Sequence, residues 1–322
     1  MLALLLAAAV GVAEPTTIIR FQTDEFWLSL HSFLYVLGRA RNNASDARRD
    51  AVINAPRDEA RGLRQLTPAE RTRWNAAVTW YARNVSRRDA VFDDSLSRAT
   101  KALADARDAE SLGGTALDSA MKRTLESAAP VFRKTWWREQ HQANEAWVAK
   151  VKPLVDTHGP AVLAFITKVY GMEWPSEGFQ VHMSGYANWA GAYSTCGSLL
   201  VMSSLDTATA GAYGLETVFH EGMHQWDSAV FRLLREQARA QGLLVPSRLS
   251  HGMIFMTAGE AVRRVVPGHV PYADRSGVWE RGLIPVRDAL RAHWLPYLRG
   301  EGTRETAMAA LIEALAPAPS QP

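Results

Sequence analysis

The sequence predicts an α+β protein, mainly α, with a small sheet in its second half. Three observations carry this reading. Apolar residues recur at helical spacing through most of the first 155 residues. Strand-like alternation first emerges at residues 179–183, Phe-Gln-Val-His-Met. The chain of 322 residues, 47 % hydrophobic and 21 % charged, can bury a core of normal size without disulfides. Its single cysteine, Cys196, can form neither an internal disulfide nor a cysteine metal cage.

Residues 1–13, MLALLLAAAVGVA, form an uncharged apolar run followed by Glu14-Pro15. A membrane-spanning helix needs about 20 apolar residues, so no stable membrane span is expected. The length suits the apolar part of a signal peptide, with Gly11 and Ala13 as small residues at a cleavage site. The expected location is therefore outside the cytoplasm, periplasmic or extracellular.

A helical N-terminal region is expected over residues 14–155. Phe26, Trp27, Leu30, Phe33, Leu34 and Leu37 recur on one helical face. Thr67-Pro68-Ala69-Glu70 is a helix start, with Thr67 as cap, Pro68 in the first turn and Glu70 closing a capping box. The helix it opens carries Trp74, Val78, Trp80 and Tyr81. Helical stretches follow near residues 95–110, 116–127 and 130–155, where Trp136, Trp137 and Trp147 read as packing residues.

A domain boundary is expected at 155/156, because the texture changes after His158-Gly159-Pro160. One more helix, 161–170, leads to a strand at 179–183, a turn-rich segment at 184–197 and a second strand at 198–203. The second region runs over 156–315. The Pro- and Ala-rich residues 316–322 read as a disordered tail. The formal charge is +3, with 30 Arg against 6 Lys, and no basic run interleaves with aromatics. No nucleic-acid partner is expected.

The chemistry concentrates in Phe219-His220-Glu221-Gly222-Met223-His224, an H-E-x-x-H pattern. Residues four apart share a helix face, so His220 and His224 can hold one metal ion. Glu221 lies about 100° further round, beside the ion, where it can serve as general base toward a water. Zinc, one ion, suits the task because it brings the pKa of water to about 7. Leu215, Val218, Phe219 and Met223 make this helix a buried one, where two His and a Glu would be costly without a partner.

A catalytic zinc wants a third protein ligand. Asp227 and Val230 occupy the positions where a metzincin would continue with Gly and His. Glu260 is the leading candidate, in an apolar stretch with Gly259 beside it to permit close helix approach. Its bland alternative is an ion pair with Arg263 or Arg264, and Asp227, Glu236, His251, Asp274 and Glu280 compete for the role. Asp227 could also orient a ligand from behind.

These residues resemble the gluzincin metallopeptidases, which carry H-E-x-x-H on one helix and a Glu ligand on a later one. His220, Glu221 and His224 match directly and Glu260 by context, over residues 179–264 only. The resemblance implies a zincin-like catalytic region at 156–315, a peptide or protein substrate and hydrolysis of peptide bonds. It implies a substrate strand, for which 187–193 stands, with Asn188 and Ala190 as substrate-binding residues. A Tyr or His should stabilise the oxyanion, and His251, His269 and Tyr272 are within reach. The Glu with which aminopeptidase members hold a free amine has no counterpart, since Tyr193-Ser194-Thr195 stands there. Two other readings are a non-catalytic helical interaction protein with a structural metal or none, and a zinc amidase acting on a non-peptide substrate.

Overall fold

The computed structural model describes residues 19–42, 50–188, 190–195 and 199–316. The expected signal peptide at 1–13 and residues 317–322 of the expected tail lie outside them, as does Cys196. The class is α+β and mainly helical.

Strand β1 (Ile19–Gln22) is the first element of the described residues. Five helices follow, α1 (Phe26–Arg41), α2 (Asp50–Leu63), α3 (Pro68–Asn84), α4 (Asp94–Ala106) and α5 (Ser119–Phe132). A π-helical turn, Arg133–Trp137, leads into the 33-residue α6 (Arg138–Tyr170). Strands β2 (Phe179–Ser184), β3 (Ala192–Thr195) and β4 (Leu199–Ser203) come next, then α7 (Ala212–Met223), α8 (Asp227–Ala240) and α9 (Leu249–Val265). Four short helices close the fold, α10 (Tyr272–Arg275), α11 (Ile284–Ala289), α12 (Leu295–Leu298) and α13 (Arg304–Ala314).

Local chemistry sets several of these ends. Thr67 accepts from the Glu70 N–H and Glu70 reaches back to the Thr67 N–H, so the expected capping box opens α3 with Pro68 in its first turn. Asp93 and Asp118 cap α4 and α5 with their carboxylates alone, each accepting two backbone N–H groups. α1 is buried on every side over residues 26–38, which makes it the central rod of the N-terminal layer.

The sheet runs in the order β1-β2-β4-β3. The first three strands are mutually parallel and β3 lies antiparallel on the edge. Side chains alternate between the two faces. Val181, Met183, Leu200 and Met202 join one core with α6, α7 and α9. Tyr193, Leu199 and Val201 join a second core with α1, α3, α4 and α5. The sheet is thus sandwiched between helices.

Three expectations are corrected here. The boundary at 155/156 falls inside α6, and Pro160 stays within that helix. Burial of Val155, Gly159, Val162 and Ile166 against the sheet side outweighs the lost proline N–H and the weak helix preference of glycine. Residues 19–22, read as the edge of the helical region, form a strand, and Ile19 and Phe21 show the two-residue period that marks it. The turn-rich segment holds β3, a strand of only 4 residues. Asn144 on α6 ties these parts together. Fully buried, it donates to the Thr23 and Met183 carbonyls at 3.1 and 3.3 Å and accepts from Ser204 Oγ at 2.7 Å.

Candidate metal centre and cleft

α7 is buried over residues 214–223 and presents its motif beneath the edge strand β3. His224 ends the helix, and a 3-10 turn (His224–Trp226) bends the chain into α8. That bend brings Asp227 back to His224, where its Oδ2 lies 2.9 Å from Nδ1. The carboxylate fixes the ring and leaves Nε2 for a ligand, the arrangement common behind metal-bound histidines.

A third imidazole arrives from α9. His251 stands two residues into that helix, its ring centroid 5.4 Å from His220 and 5.1 Å from His224. One ligand atom from each of His220, His224 and His251 lies within 4.8 Å of the others. Phe255, one turn after His251, packs its ring 4.2 Å from that of His220 and walls the site.

The electrostatics suit metal binding. Burial, reinforced by the neighbouring imidazoles, pushes His220 well below its ordinary pKa and His251 down to about 4. Both therefore offer lone pairs at neutral pH. Burial also disfavours charge on His224, but the bond to Asp227 and the charges of Glu221 and Asp227 outweigh it and hold His224 above its ordinary value. His220 Nδ1 is buried and has no hydrogen-bond partner among the described residues.

Glu221 points toward the same space. Its Oε2 accepts from Ser194 Oγ on β3 at 3.0 Å, and the same hydroxyl lies 2.7 Å from the Glu221 carbonyl. Burial raises the Glu221 pKa above its ordinary value, with His224 and Ser194 pulling only partly the other way. A carboxyl tuned upward is a better proton acceptor for work near neutral pH.

These groups open on a cleft of about 620 Å³ between β3, α7, α9 and the loops around residues 91, 248 and 281. Asn188 and Ala190, expected to touch substrate, both line it. The Asn188 Oδ1 accepts from the Ala190 N–H at 2.7 Å, while its Nδ2 is buried without a partner among the described residues. Tyr272 lines the cleft as well.

Two expectations fail geometrically. Glu260 does not join the histidines. Its Oε2 is 2.5 Å from Arg263, the ion pair that stood as its alternative. Nine residues separate it from His251, which on a helix means the opposite face and about 13 Å of axial travel. His269, considered for the oxyanion, does not line the cleft. It lies behind it at 2.5 Å from the buried Glu216, which also accepts the Tyr272 N–H at 2.9 and 3.0 Å. Of the other competing acids, Asp274 is taken by Trp279 and Arg291, Glu280 faces Arg287 at 3.8 Å, and Glu236 is exposed on α8.

The sequence ranks His251 among the competitors for the third ligand and assigns Ser194 and Glu216 no role. The signal for His251 was its position early in an apolar helix. Nothing in spacing marked Ser194, which depends on the pairing of β3 beside α7. No protein-family model matches the chain, and neither a curated protein nor a solved structure does.

Proposed function

We propose that the chain is a zinc-dependent hydrolase of peptide bonds with a zincin-like arrangement of metal helix and edge strand. The observation that carries it is the convergence of His220, His224 and His251 on one point with Glu221 beside them. The donor set, three imidazoles of which His220 and His251 are kept neutral by burial, suits zinc. It departs from the gluzincin pattern in taking histidine from the second helix where that group uses glutamate. A zinc ion held there would supply Lewis acidity, polarising a carbonyl and lowering the pKa of a water.

The remaining chemistry belongs to the chain. Glu221 takes the proton from the attacking water and passes it to the leaving amine nitrogen as the C–N bond breaks. Ser194 holds that carboxylate in place through its 3.0 Å bond. Among the described residues β3 is paired on one side only, so an extended peptide can add along its other edge over α7. The buried donor Nδ2 of Asn188 suits a substrate carbonyl. A structural zinc would be closed by four protein ligands. Among the described residues the group contains three, all histidine, which favours an open, catalytic position over the structural-metal reading.

Metal analysis of the purified protein should find about one zinc per chain. Glu221→Gln should retain that zinc and lose about 10²–10⁴ in hydrolysis of a peptide library. Protein that binds no metal with all three histidines intact would end this reading. Full activity in the Gln variant would leave any metal structural.

A further inference from the structure

We propose that Arg248 and Arg281 form an anion subsite at the mouth of the cleft, which selects peptides carrying a carboxylate near the bond to be cut. The proposal rests on the peptidase reading above and names its substrate class. Both arginines line the same cleft as the three histidines, and both are exposed. Arg248 Nη1 donates to the Arg281 carbonyl at 3.3 Å, and Arg281 Nη2 donates to the Ser276 carbonyl at 2.7 Å. Neither arginine has a carboxylate within ion-pair distance among the described residues. Each guanidinium carries five N–H donors, so most are left to face the cleft mouth or water.

The acids that line the cleft are already engaged. Glu216 is held by His269 and the Tyr272 N–H. Glu221 is held by Ser194, and Asp227 by His224. The two positive charges at the mouth are therefore uncompensated by the cleft's own side chains. A planar guanidinium matches a carboxylate through two parallel bonds, which makes Arg the side chain suited to reading one.

The backbone supplies a second, independent observation. Arg248 has φ 63° and ψ 3°, in the left-handed region that favours glycine. Arg107 is the only other non-glycine residue with positive φ among those described. Glycine at 248 would remove the strain, so the arginine is held there against a local cost. Strain of this kind collects at ligand sites. Position 248 lies three residues before His251, so its backbone is fixed relative to the metal centre by the first turn of α9.

A free C-terminus and an Asp or Glu side chain offer the same carboxylate. Three fluorescent peptides with one apolar sequence separate them. One ends in a free carboxylate, one ends in an amide, and one ends in an amide but carries an internal Glu. Binding is measured by anisotropy to the full chain with Glu221→Gln, its metal content determined beforehand, so that no turnover is needed. At least one carboxylate peptide should bind about tenfold or more tightly than the plain amide, consistent with hydrogen bonds to a charged group. That preference should weaken with added salt and vanish in Arg248→Gly and in Arg281→Gln. Arg248→Gly should melt no lower than its parent, because its strain is relieved, which separates lost recognition from lost folding. Equal binding of all three peptides, binding of none, or a preference that survives both substitutions would overturn the proposal. Absence of hydrolysis by the unsubstituted protein, with the carboxylate preference intact, would overturn the peptidase reading and leave the subsite standing.

Discussion

His251 and Glu260 share one helix and meet different fates, because helical phase decides which side chain reaches α7. His251→Ala should lower zinc content strongly and abolish hydrolysis, since three protein ligands are needed for an open catalytic site. Glu260→Ala should leave zinc content unchanged and cost only what a partly exposed ion pair contributes, about 0–1 kcal/mol. Metal titration of the two variants side by side checks this. The H-E-x-x-H residues were legible because their spacing alone puts them on one face. The third ligand was not, because an apolar stretch with a buried acid looks the same whether the acid meets a metal or Arg263. A second titratable group illustrates burial without metal. His31, in the core of α1 with Nδ1 2.9 Å from the Tyr81 hydroxyl, is pushed down to about 4 from 6.5 by desolvation. Above pH 6.5 the folded and unfolded states hold it alike, neutral. As pH falls from there the unfolded chain takes a proton that the folded one refuses, so stability drops until about pH 4 and then levels. The full difference is about 3 kcal/mol. Urea denaturation at about pH 7.5 and about pH 4 should show the native protein losing that much more than His31→Gln.

At the scale of elements, the cleft depends on how closely α9 can approach its neighbours. A Cβ at Gly259 would stand 2.5 Å from Pro271 Cβ and 3.2 Å from Glu216 Oε1. Gly259→Ala should therefore push the 266–272 loop outward and cost about 1–3 kcal/mol by overpacking. Chemical denaturation measures the cost, and the loss should exceed that of an alanine at an exposed helix position. The sequence pointed to a close approach at Gly259, but could not say that the partner is the loop carrying Tyr272. α3 was legible to the residue at its start, because a capping box is a local device. β3 was not, because four residues in a turn-rich stretch acquire strand geometry only by pairing with β4.

The whole molecule is organised around a sheet covered on both faces, and this is where local reading failed most. Helical texture before residue 156 and mixed texture after it resemble two domains, yet Tyr193, Leu199 and Val201 are buried by the N-terminal helices. A fragment beginning at residue 156 would lose β1, Asn144 and that entire cover. It should show no cooperative thermal transition by circular dichroism, whereas the full chain should. A fragment that melts cooperatively and binds zinc would mean that the N-terminal layer is dispensable.

The long helix α6 has a mechanical consequence. At 1.5 Å per residue its 33 residues form a rod about 50 Å in length. Its buried apolar residues all join the core with α7 and α9, and the π-helical turn that leads into it without a break carries Trp136 into the second core. Bodies on a flexible strap can swing apart to admit a bulky guest. Here such motion is confined to bending, chiefly near Pro153 and Pro160, where the rod lacks an N–H. Entry to the cleft then falls to its lips, where the exposed Phe92 and Arg281 stand among the lining residues. A gate that yields only at its lips filters by cross-section. With the proposed chemistry behind it, it would pass loose chain ends and unfolded segments and turn away folded proteins whatever their sequence.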